Sequence, residues 1–138
     1  MSYQVIKNGI IGIMQGLGYS KSNEAWNMEN ASANEYGNTF IIKALGGEIN
    51  DESEQLADRF YDVQTWEMTI AFEQSSQNES INMDSAQASK DIILSKIDDP
   101  ASWIGFARML KYKSWKMEET VAYFLLTVTI TVTDVYTY

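Results

Sequence analysis

A chain of 138 residues that is 45% hydrophobic can bury the core of one domain and is short for two. It contains neither cysteine nor histidine, which excludes disulfides, thiolate nucleophiles and cysteine-ligated zinc and removes the commonest general base and metal ligand. Its formal charge of −9 is unevenly placed: residues 1–100 carry six basic against sixteen acidic side chains, and residues 101–138 carry four against three.

Tyr3 to Leu17 sets Ile6, Ile10, Ile13, Met14 and Leu17 on one stripe of an amphipathic helix. Gly9, Gly12 and Gly16 in that stretch read as close helix-on-sheet packing, because a phosphate-cradling loop needs a preceding strand and a following Gly-Lys that are missing. Gly18 to Asn38 is rich in Ser, Asn, Glu and Gly and reads as a long loop, at about 18–38. Within it Trp26 and Met28 are either a satellite cluster tucked under the domain or anchors for a neighbouring subunit.

Thr39 to Leu45 predicts a short strand, stopped by Gly46 and Gly47. The next segment places Glu48, Asp51, Glu52, Glu54 and Asp58 together with no basic residue among them. It lacks the residue pattern of a calcium-binding loop and reads as a solvated acidic stretch. In Arg59 to Glu73 the residues Trp66, Met68, Ile70 and Phe72 alternate with Glu67, Thr69, Ala71 and Glu73, so this is a strand whose expected partner is the C-terminal one. The polar run Gln74 to Asn82 reads as a turn or loop.

Asp84 or Ser85 then caps a second helix, with Ala88, Ile92 or Ile93, and Ile97 facing inward and Asp99-Pro100 ending it. Ala101 to Ala107 adds a helical turn with Trp103 and Phe106 inward. Arg108 to Met117 alternates as a strand, with Met109, Lys111, Lys113 and Trp115 on one face and Leu110 and Tyr112 on the other. Its lysines suit either an edge-strand defence or a partner-binding strip.

The strongest signal is the last. From Ala122 to Tyr136 the residues Phe124, Leu126, Val128, Ile130 and Val132 alternate with Thr127, Thr129, Thr131 and Thr133, which gives a β-strand one apolar face and one row of hydroxyls. At about 3.3 Å per residue it runs roughly 40 to 50 Å, more than a small sheet needs, and the surplus must pair with something. The expected fold is α+β: a mostly antiparallel four-stranded sheet with two main helices packed on one face, in a single domain over 1–138. No apolar run reaches about 18 residues and no secretory segment follows Met1, so the chain is expected to be made in a cytoplasm without a membrane partner. No motif points to a catalytic site, a metal or a cofactor.

In this order of elements the chain resembles the tail terminator, or tail-completion, proteins of long-tailed bacteriophages. The resemblance is carried by the N-terminal amphipathic helix, the pair T-F-I-I-K-A-L and R-F-Y-D-V-Q-T-W-E-M-T-I-A-F, the helix A-S-K-D-I-I-L-S-K-I-D-D-P, and the closing K-Y-K-S-W-K with its long strand. It covers nearly the whole chain through order and character, without an invariant motif. It implies a structural virion protein of the tail or neck that forms a homo-oligomeric ring, usually a hexamer. Such a ring sits on the last ring of tail tube protein, ends tube polymerisation and meets the head-side connector, with DNA passing its lumen as cargo. The long loop and the overlong final strand depart from the pattern and suit assembly.

A closing ring needs a heterologous interface made of two different patches. Arg108, Lys111, Lys113 and Lys116 are one candidate, with Trp26 and Met28 as further interface candidates. Glu48, Asp51, Glu52, Glu54 and Asp58 are candidates either for the complementary patch or for a lumen wall that repels phosphate over about 8–10 Å. Two other readings stand beside this one, besides a different tail or neck component of related fold. An acidic DNA-mimicking inhibitor of a basic partner would need a continuous acidic strip. A carboxylate enzyme would have only Asp98-Asp99 and Glu118-Glu119 as adjacent acid pairs following helix or strand ends.

Overall fold

The sheet is assembled around the threonine-rich strand, β5 (Tyr123–Thr137). This computed structural model describes residues 3–22, 37–50, 59–73, 79–120 and 123–137, and the side chains of all of these except 47–50, 59–62, 79–81 and 134–137. β5 pairs antiparallel with β3 (Arg59–Glu73) without a slip, from Tyr123 opposite Glu73 to Thr137 opposite Arg59. On its other side it pairs with β4 (Met109–Glu119). β3 also pairs with β2 (Thr39–Asn50), and the two-residue β1 (Ser20–Lys21) runs parallel to the start of β2. The strand order is β1-β2-β3-β5-β4.

Residues opposite one another in an antiparallel ladder share a face. One face therefore collects Phe40, Trp66, Met68, Ile70, Phe72, Phe124, Leu126, Val128, Ile130, Val132 and Leu110, all buried. Helix α1 (Tyr3–Gly16) lays Ile6, Ile10, Ile13 and Met14 on it, and α2 (Glu79–Asp98) adds Ala86, Ile93, Leu94 and Ile97, so that sheet and helices form one cluster. Each large side chain in it contributes about 1.5–3 kcal/mol relative to exposure. Trp66 is wholly buried beneath the Tyr3 ring, stacked at 5.0 Å, and its indole N–H donates to Gln64 Oε1 at 3.0 Å.

α1 ends in a glycine-terminated cap: Gly18 adopts φ +96°, Tyr19 N–H donates to the Met14 carbonyl and Gly18 N–H to that of Gln15. That turn delivers Ser20 and Lys21 beside the start of β2. Asp99 separates α2 from the short α3 (Pro100–Trp103), its carboxylate accepting the Ala101 N–H at 3.1 Å.

The α+β class and the pairing of β3 with β5 agree with the sequence; several details differ. Among the described residues the sheet has five strands and is mixed, because β1 is too short to leave a periodic signal, and the helical turn expected over Ala101 to Ala107 is the third helix, α3, ending at Trp103. Gly46 and Gly47 do not stop β2, which continues to Asn50. The register slips between Ala44 and Gly46, leaving Leu45 as an extra, 49% exposed residue while Gly46 takes φ +150°. α2 starts at Glu79, within the stretch expected to be a turn, since a helix needs no apolar residues on its solvent side. Its buried stripe is the bulkier Ile93, Leu94 and Ile97 set, and Ala88 and Ile92 face outward.

Candidate functional site

The sheet's second face carries no helix of the described chain. Its rows combine Thr65 and Thr69 of β3 with Thr127, Thr129, Thr131 and Thr133 of β5, all half-buried. The Thr69 and Thr127 hydroxyls lie 3.4 Å apart. Threonine suits this place because its branched Cβ fills the pleat while its hydroxyl faces water. Lys43 bridges across the strands to Glu67 at 3.5 Å. Ala71 and Tyr123 are the buried residues of this face and stand outside the main cluster.

β4 forms one edge of the sheet. Its register shifts between Tyr112, opposite Ile130, and Ser114, opposite Thr129, so Lys113 is a bulged extra residue. One inserted residue inverts every later side chain. The expected grouping of Trp115 with Met109, Lys111 and Lys113 is therefore corrected: Trp115 and Met117 oppose Val128 and Leu126 on the helix side, with Leu110 and Tyr112. Lys111, Ser114 and Lys116 oppose threonines on the open face. Trp115 remains partly exposed, and Lys90 of α2 stacks on its ring, the ammonium 4.2 Å from the ring centroid and 2.9 Å from Asp91.

The basic residues picked out in the sequence thus share one edge without sharing one face. Arg108 precedes β4, its N–H donating to the Thr133 carbonyl at 3.0 Å. Lys111 and Lys113 are exposed, and Lys116 pairs with Glu118 two residues along, at 2.9 Å. The hydrogen bond from Lys116 to Glu118, reinforced by the charges of Glu118 and Glu67, holds the lysine above its ordinary pKa. A pair this exposed adds little stability.

Trp26, Met28, Asp51, Glu52, Glu54 and Asp58 lie outside the described residues. Glu48 belongs to β2, but its side chain is also outside them. Of the adjacent acid pairs, Asp99 caps α3 and Glu118 holds Lys116. Among the described residues no group of three or more acidic side chains is placed to hold a metal ion, and no helix is long and apolar enough to cross a membrane.

One surface was missed by sequence reasoning. Beside the end of α1, the outer side of α2 forms an open groove of about 410 Å³ lined by Leu17, Asp91, Ile92, Ser95, Lys96 and Asp99. The signal for it was the doublet Ile92-Ile93, two adjacent isoleucines that a helix cannot point the same way. The described surface thus offers an open hydroxyl-lined face, a basic edge and an acid-rimmed groove with apolar lining, all suited to docking. Compared with known protein families and with curated proteins, the chain matches none.

Proposed function

We propose that this chain is the subunit of a ring in a phage tail or neck, placed in the virion after synthesis in the host cytoplasm. The ring caps the tail tube, ends its polymerisation and presents its other side to the head-side connector, while DNA passes the lumen only as cargo. The observation that carries this reading is the length of the central ribbon. β3 and β5 are 15 residues each and pair without a slip from Tyr123 opposite Glu73 to Thr137 opposite Arg59, where a strand usually has about five or six residues. A ribbon this long is natural to build into an assembly that pairs or covers it.

The exposed basic edge around Lys111 and Lys113 supplies one half of the subunit interface. The acidic stretch Glu48 to Asp58 suits the other half or the lumen wall. The reading involves no catalytic step, metal or cofactor. It is tested by adding the purified chain to polymerising tail tube protein encoded alongside it and viewing the products by electron microscopy. Shortened tubes with extra density at one end are expected. Tubes of unchanged length with bare ends would overturn the proposal.

A further inference from the structure

Helix α2 buries one side against the sheet and carries one large apolar residue, Ile92, on its otherwise polar outer side. Ala86, Ile93, Leu94 and Ile97 are buried against the sheet, whereas Ile92 is 60% exposed and, with Leu17, lines the groove on the outer surface. An exposed isoleucine lining an open groove offers an apolar side chain of a neighbour a place to pack. Ala88 and Ser95, exposed near Ile92, keep the helix surface low enough for a flat partner.

The charges around this surface are mainly negative. Asp84, Asp91, Asp98 and Asp99 are exposed along α2 and its end, against Lys90, which bridges Asp91 and the Trp115 ring, and Lys96 in the groove, so the acidic side chains outnumber the basic ones. The C-terminal end of α2 adds the partial negative charge of its helix dipole. On the opposite side of the two-layer molecule lies the open sheet face, whose charge where β4 begins is positive. Met109 stands there 44% exposed, beside Lys111 on the same face, with Lys113 on the bulge.

We propose that the α2 groove of one copy seats the β4 side of the threonine face of a second copy, with Ile92 against Met109 and Asp91 and Asp98 facing Lys111 and Lys113. Groove and face lie on opposite sides of one molecule, so the contact is heterologous. It runs head to tail and is satisfied for every subunit only when the chain of copies closes. The inference rests on the ring reading and supplies its interface. It also accounts for an outward isoleucine and two uncovered lysines with one contact.

The test uses two charge-reversed full-length variants, Asp91→Lys on the groove with Asp98→Lys beside it, and Lys111→Glu/Lys113→Glu on the edge, compared with the native chain by sedimentation velocity. Each variant alone should associate about tenfold or more weakly than the native chain. Their equimolar mixture should recover assembly, because a reversed groove then meets a reversed edge and a native groove meets a native edge. Ile92→Gln, at an exposed position that leaves the fold intact, should weaken association in the same way. Variants that assemble like the native chain would overturn this contact and leave the ring standing on another surface. A mixture no better than its parts would also overturn it. A native chain that stays monomeric at every concentration overturns the contact too, while the tube-capping assay judges the ring separately.

Discussion

Two glycines of α1, three residues apart, should respond to alanine with opposite sign. A Cβ built on Gly12 meets nothing within 4 Å, whereas one built on Gly9 runs into the Phe106 ring. At Gly12 only the backbone matters, and replacing glycine in a helix interior gains about 0.8–1 kcal/mol. At Gly9 the same gain is opposed by overpacking, which costs about 1–3 kcal/mol when the neighbour must shift. Phe106 has little freedom to yield, since it packs against the core and the atoms in the way include the ring carbon next to its own Cβ. Gly12→Ala should therefore stabilise by about 1 kcal/mol and Gly9→Ala should be neutral to destabilising by about 2 kcal/mol. Urea unfolding at constant m-value reads this directly, because with m of about 1–3 kcal/mol/M each kilocalorie moves the midpoint by about 0.3–1 M. Adding Phe106→Leu to Gly9→Ala should return part of the loss, since the smaller side chain vacates the space. Equal stabilisation by the two alanines would refute the close approach of α1 to the α3 turn.

Two further outcomes follow from single side chains. The Ser102 hydroxyl is buried with no hydrogen-bond partner among the described residues, so Ser102→Ala should stabilise by about 1 kcal/mol in the same urea assay, where removal of a satisfied hydroxyl would destabilise. Burial raises the pKa of the half-buried Tyr19 phenol, with a hydrogen bond to Ser89 acting in the opposite direction. The folded state thus holds this proton more tightly than the unfolded state. Its contribution is complete below the ordinary phenol value of about 10 and is lost as pH rises through the folded value. Thermal unfolding of Tyr19→Phe from pH 9 upward should fall less steeply than that of the native chain, and parallel curves would exclude the effect.

The parts of the fold legible in the sequence are those in which one period runs long enough to dominate. β3 and β5 each alternate over many residues, and their faces and partnership follow from matching one apolar row to another. The α1 stripe is equally plain. Bulges are not legible, because an extra residue at Leu45 or Lys113 changes neither composition nor local propensity while inverting everything after it. Hence Trp115 was expected beside the lysines and instead packs under Lys90. In α2 two stripes compete, and the winner is set by which isoleucine the sheet can cover, a tertiary choice that spacing does not contain. The lysine cluster was visible as a cluster; its division between the open face, the bulge and the strand entrance depends on register.

The central claim is that two opposite surfaces of this molecule fit one another. Native mass spectrometry of the full-length chain over a rising concentration series tests it most directly. A single closed stoichiometry, six copies being the expected one, with no accumulation of two-fold dimers is the predicted result. Dimers that never grow, or one-chain masses throughout, would contradict it.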